Sequence, residues 1–210
     1  MGNYSFGLAL FDFVPTFFFL IGAFFLVKTV FICAGKPAAR MLMAGSLLVF
    51  IGGFLKAFWK LLYAAQLADI VWMAEAQFLL LGIGFFAMFV TVLLMVRQRK
   101  NSAAAAALFL GITPWKIPFL FLMTVTSLGA EGILAYLAFR RNLRLAAAGF
   151  VVGVLGLLAM GSLASAEQSI AMQWVEETVN TLGQGGFMLG CILLYRDFKA
   201  HGCALPAPSA

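Results

Sequence analysis

Apolar stretches of more than about 20 residues recur along this chain. That is the length a helix needs to cross the hydrocarbon core of a bilayer. Almost nothing is left over for a soluble domain, because 64% of the 210 residues are hydrophobic and 10% are charged, against roughly 25% charged in soluble domains. Lipid offers the backbone no hydrogen bonds, so a spanning chain of this kind has to be helical. The sequence therefore predicts an all-α integral membrane bundle forming one polytopic domain over 1–200, followed by a disordered tail over 201–210. The first basic residue is Lys28, after more than twenty mostly apolar positions. The N-terminal run thus lacks the basic start of a cleaved leader and reads as a retained first helix.

Helices are predicted at about 6–32, 40–65, 70–96, 119–139, 145–166 and 174–198. Pro15 is expected to kink the first, and Gly52-Gly53 to narrow the second. Between Arg97 and Phe119 lies an ambiguous linker, 98–118, with an apolar run of about a dozen residues and the turn-like stretch Thr113-Pro114-Trp115-Lys116-Ile117-Pro118. If this segment crosses, there are seven helices. Lys36/Arg40, Arg97/Arg99/Lys100, Arg140/Arg141/Arg144 and Arg196/Lys199 then share one face, with Asp69, Glu167, Glu176 and Glu177 on the other. The positive-inside rule makes the basic face cytoplasmic, with the N-terminus outside and the C-terminus inside a plasma or inner membrane. If it does not cross, six helices remain in a 3+3 plan and the arginine triplet lands outside. The net charge of +6 is spent on these clusters. No basic–aromatic stripe is present, so nucleic acid is not an expected partner, and membrane lipid is.

Shifting the sequence by 102 positions without gaps aligns the stretch 49–85 with 151–187. Eleven of 37 positions are identical, including Gln66/Gln168, Trp72/Trp174, Glu75/Glu177 and Gly84/Gly186. Chance in so apolar a composition gives about three or four. Phe17/Phe119, Phe19/Phe121, Leu20/Leu122 and Leu26/Leu128 extend the match to the first helix of each half. The expectation is a three-helix duplication, repeat A over 6–97 and repeat B over 119–199. Joined by a crossing linker, they make a 3+1+3 plan with parallel halves.

Charges inside hydrocarbon are costly and face a partner or water. Lys56 and Lys60 share a helix face, and Glu75 and Glu177 occupy equivalent positions below the two tryptophans. Lys56 is expected to pair with Glu75 or Glu177. Asn180, Thr181 and Gln184 continue a polar face below Glu177 that repeat A lacks. Lys56, Lys60, Glu75, Glu177, Asn180 and Gln184 thus form the candidate binding site, for a small charged or zwitterionic solute. Thr124, Ser127 and Glu131 form a second polar face nearer the basic end, where Glu131 is placed to meet Lys28 or a cytoplasmic cavity. Two blander accounts stand beside the site: the ion pairs stitch helices together, and the amides bond neighbouring helices. A small-solute transporter or channel is the leading reading. The alternative is a non-transporting membrane module (lipid-binding, sensory or accessory), and an intramembrane enzyme, with no evident nucleophile, comes last. Cys33, Cys191 and Cys203 fit no paired spacing, so the sequence predicts apolar filler and a tail thiol rather than disulfides. The one histidine, His201, argues against haem or a metal site, and no cofactor is expected. Whether the chain self-associates is left open.

Overall fold

The computed structural model describes residues 5–97, 116–163 and 169–203. Their regular structure is helical: α1 Phe6–Phe11, α2 Phe13–Ala64, α3 Val71–Arg97, α4 Lys116–Arg140, α5 Arg144–Leu163 and α6 Ile170–His201. α1 and α2 part at Asp12, three residues before Pro15, whose missing N–H leaves the Phe11 carbonyl without its helical donor. α2 is two antiparallel arms, 13–34 and 36–64. The reversal is made at Gly35, with φ 81° and ψ −179°, a conformation open to glycine and not to most side chains. Phe13 stacks edge-on against Phe54 and Phe17 lies against Phe50, which fixes the hairpin register. The basic loop expected around Lys36 and Arg40 is therefore a one-residue break, and both residues sit in the first turns of the second arm. α6 starts four residues earlier than expected, capped by the Ser169 hydroxyl accepting from the Met172 N–H at 3.1 Å. Glu176 and Glu177 consequently lie well inside the helix and not in its first turn.

Glycines set how the helices pack. The second arm of α2 runs antiparallel to α3: Gly45 abuts Gly84 and Met88, and Gly52 abuts Gln77 and Leu81. α5 runs antiparallel to α6 in the same manner, Gly149 against Gly186 and Gly190, Gly156 against Val179 and Gly183. Small residues let the backbones close in, which in lipid replaces the hydrophobic drive for association. The first arm of α2 lies parallel to α6, because Phe18 meets Gly185, Gly22 meets Phe187 and Phe25 meets Tyr195 in rising order. α4 lies parallel to α3, with Phe119 on Gly82 and Gly129 on Phe89. The start of α4 therefore lies at the opposite end of the bundle from the end of α3. The segment expected to cross, 102–118, falls almost wholly outside the described residues.

The centre is filled by Phe19, Leu26, Leu42, Met88, Leu134, Phe150 and Phe187. The outside is equally apolar: Phe17, Phe24 and Phe31 stand 46%, 53% and 56% exposed along one stripe. Among the described residues four helical stretches are long and apolar enough to cross a membrane, one of them the whole of 6–64. A surface this apolar belongs in lipid, not water.

At the basic end the ends of the first arm, α4 and α6 are tied together. Arg141 is buried, pairs with Asp197, and donates to the Gly202 carbonyl at 2.8 Å. His201 reaches the same carboxylate at 2.9 Å. Cys33 and Cys203 form a disulfide, Cα to Cα 5.4 Å. This corrects the expectation of unpaired cysteines, and it corrects the tail boundary: α6 runs to His201 and Cys203 is bound to the bundle. Cys191 is a buried free thiol, as expected for apolar filler.

Candidate functional site

The helix ends opposite the basic clusters hold a buried charge cluster. Lys60, near the end of the second arm, places its ammonium 2.8 Å from Asp12 Oδ2 and 2.5 Å from Glu177 Oε1. All three side chains are less than a tenth exposed. Asp12 is delivered by the break between α1 and α2, and Glu177 by the second turn of α6. The cluster joins three segments far apart in sequence. Lys56 is expected to pair with Glu75 or Glu177, and the structure pairs Glu177 with Lys60 instead. The register explains why: Lys56 lies one turn further from the helix end, where it lines a cavity together with Thr16 and Gln77. Among the described residues no carboxylate comes within salt-bridge distance of the Lys56 ammonium. Asp12 went unassigned to any site in the sequence reading. The signal for it was an acidic residue inside an apolar run, three positions before a proline.

Just inside this cluster is a cavity of about 310 Å³. Its polar lining is Asp12, Thr16, Lys56, Gln77, Asn180 and Gln184, and its apolar lining includes Phe50, Phe78, Phe85 and Met160. The expected convergence of Lys56, Asn180 and Gln184 on one cavity is what the structure places there. Glu75 is half-buried and takes no part in the lining, and Lys60 and Glu177 stand at the rim as a closed ion pair. Every long helix contributes a wall, α4 through Met123 and α5 through Leu157 and Met160. The buried Glu177 Oε2, Gln173 Oε1 and Thr181 Oγ1 lie along one stripe of α6 and have no hydrogen-bond partner among the described residues. Unpartnered polar atoms of that kind are uncommon in folded interiors.

Below Gln184 the cavity is closed by rings. Phe19 packs on Phe85 at 6.0 Å and stacks on Phe187 at 5.6 Å. Beyond them, on α4, lie Ser127 and Glu131. Glu131 is not paired with Lys28, whose ammonium sits over the Phe24 ring at 4.3 Å on the bundle's outer surface. Thr124 stays outside this region and bonds back to the Leu120 carbonyl at 2.9 Å. Among the described residues no group of three or more His, Cys, Asp or Glu could hold a metal ion. Comparison with protein-family models, with curated proteins and with solved structures finds no match for this chain.

Proposed function

We propose that this membrane protein is a small-solute transporter. Its cavity takes a carboxylate-bearing or zwitterionic molecule between two helical repeats. The observation that carries the reading is the cavity itself: the Lys56 ammonium, with no carboxylate within salt-bridge distance among the described residues, three side-chain amides and an aromatic floor, inside a largely apolar bundle. A volume of about 310 Å³ stands at the low end of small-molecule sites. Lys56 suits a solute carboxylate, Asp12 at the rim a solute ammonium, and the amides its remaining polar atoms.

The glycine seams support the duplication. Gly84 and Gly186, 102 apart, serve as the contact of Gly45 and Gly149, which are 104 apart. Gly52 and Gly156 repeat the relation against Gln77/Leu81 and Val179/Gly183. The two helix pairs thus share one packing scheme, with the second helix of each repeat two residues away from the ungapped alignment. The first helix of each repeat packs on the third helix of the other, the relation a two-fold axis would produce, and the cavity lies between the halves. Transporter repeats bind their substrates in such places. The parallel run of α3 and α4 supports seven crossings, and the basic clusters support a cytoplasmic basic end in a plasma or inner membrane.

The test is reconstitution in liposomes, with currents recorded on a solid-supported membrane as zwitterionic amino acids and small carboxylates are applied. We expect a saturable signal that Lys56→Met and Asn180→Ala abolish while the protein still melts cooperatively. The closed layer of Phe19, Phe85 and Phe187 favours a second reading, a non-transporting module with structural ion pairs. Absence of any signal, together with an Asn180→Cys thiol that resists a membrane-impermeant maleimide, would put that second reading in place of the first.

A further inference from the structure

We propose that Glu131 is a proton-binding site, separated from the large cavity by a single layer of side chains and coupled to it through Gln184. The Oε2 atom of Glu131 is buried and has no hydrogen-bond partner among the described residues. The carboxyl group lies in the notch that Gly153 leaves on α5, where a methyl group would collide with it. On its other side is a cavity of only about 10 Å³, lined by Phe19 and Leu26 of α2, Phe85 and Met88 of α3, Ser127 of α4, and Gln184 and Phe187 of α6. Among the described residues no lysine or arginine lines this space. Among the described residues α2, α3 and α5 line it with no charged or titratable group, and on α6 the Cys191 thiol lies near enough to Glu131 to interact with it electrostatically.

An ionised carboxylate needs donors or a countercharge, and in hydrocarbon it needs them most. Among the described lining residues the Gln184 amide could donate to a carboxylate, but it carries no charge, and the rest of the surroundings suit the neutral form better. Ser127 Oγ gives its hydrogen to the Met123 carbonyl at 2.6 Å, which leaves that oxygen an acceptor. A carboxylic acid can donate to such an oxygen, whereas a carboxylate can only accept. The space is too small for a metal cation and its ligands, since one water alone needs about 10–15 Å³. A proton needs no volume.

The route is visible in the shared walls. Phe19, Phe85 and Gln184 line both the large cavity and the small one. The barrier is therefore one residue thick, and a rotamer change at Phe19 or Phe85 opens it. Gln184 can touch a solute on one side and Glu131 on the other, so the protonation state of Glu131 alters the cavity wall. The proton site stands on its own geometry, and the coupling clause alone rests on the proposed transport reading.

The experiment uses the full-length protein in nanodiscs. Infrared difference spectra are recorded across a pH titration from mildly acidic to alkaline. The expected result is a carbonyl stretch of a protonated carboxylic acid that titrates in the wild type, is lost in Glu131→Gln and shifts in Glu131→Asp. Thermal melting of each variant confirms that it is folded, and Glu131→Asp keeps the test decisive should the glutamine variant fail to fold. The same band in wild type and Glu131→Gln would overturn the site. Coupling is read from the rate at which an Asn180→Cys thiol reacts with an impermeant maleimide, with and without Glu131→Gln, at each pH. The two rates should agree in acid, where Glu131 holds its proton, and diverge in alkali. Equal rates throughout would overturn the coupling and leave the infrared result standing, and an absent solute current would leave the proton site untouched.

Discussion

Lys60 carries two carboxylates, and the sum of charge at that cluster is −1 before Lys56 is counted. Lys56 acts on Asp12 and Glu177 through space, without a salt bridge to either. Breaking such a set is worse than removing it, because a single deletion strands a buried charge. Lys60→Met is expected to destabilise the protein by about 3–5 kcal/mol. The triple variant Asp12→Asn, Lys60→Met, Glu177→Gln should lose clearly less. Reversible unfolding in mixed micelles measures both, and a triple variant as damaged as the single one would deny that the lysine's role is to neutralise the carboxylates. Lys56 is separable from this cluster by one turn. Its replacement should act on solute binding more than on the fold, which is how the lining of a site differs from a strut.

At the scale of elements, the helices meet through glycine where backbones touch and through phenylalanine where they do not. A methyl group at Gly45 would come 2.8 Å from the Gly84 carbonyl oxygen, and one at Gly149 would come 2.6 Å from that of Gly186. Both obstacles are backbone and cannot rotate away. Gly45→Ala and Gly149→Ala should each destabilise by about 1–3 kcal/mol, the usual cost of overpacking. Gly132→Ala and Gly161→Ala, with nothing within 4 Å, should be neutral or slightly stabilising. Thermal melts of the four variants check this, and equal effects across them would deny that the seams are close contacts. A second device at this scale is the disulfide, which joins the end of the first arm to the end of α6. Thiol counting on the purified, oxidised protein after denaturation should find one reactive cysteine without reductant, Cys191, and three with it. Cys203→Ser should leave the tail end of α6 held by Arg141 and Asp197 alone, and loosen it as read by hydrogen exchange at 198–203.

For the whole molecule, the membrane class and most helix limits were legible because bilayer thickness sets the length of an apolar run. Lys56, Asn180 and Gln184 were legible as one cavity because polar side chains in such runs have few places to go. The partner of Glu177 was not, since choosing Lys60 over Lys56 needs the register between α2 and α6, which no pattern within either helix contains. Nor was the bond between cysteines 170 positions apart, because spacing of that kind carries no signal. That bond bears on the last prediction. The basic end holds Lys36, Arg40, Arg140, Arg144, Arg196 and Lys199, and the positive-inside rule sends it to the cytoplasm. Cytoplasmic thiols are kept reduced in most cells, and structural disulfides there are rare. The two tendencies oppose each other at the same place, so orientation and redox state must be measured together. In intact cells Asp69→Cys should react with an impermeant maleimide, whereas Lys36→Cys and Arg144→Cys should react only after permeabilisation. Lys36 and Arg144 labelled from opposite sides would refute the parallel plan of the halves. With the basic end inside, acid-quenched cells should yield Cys33 and Cys203 as free thiols that join on oxidation of the purified protein. If both basic positions instead label from outside, the same trapping should find the disulfide already formed, and the cavity rim at Asp12 and Lys60 would then open towards the cytoplasm.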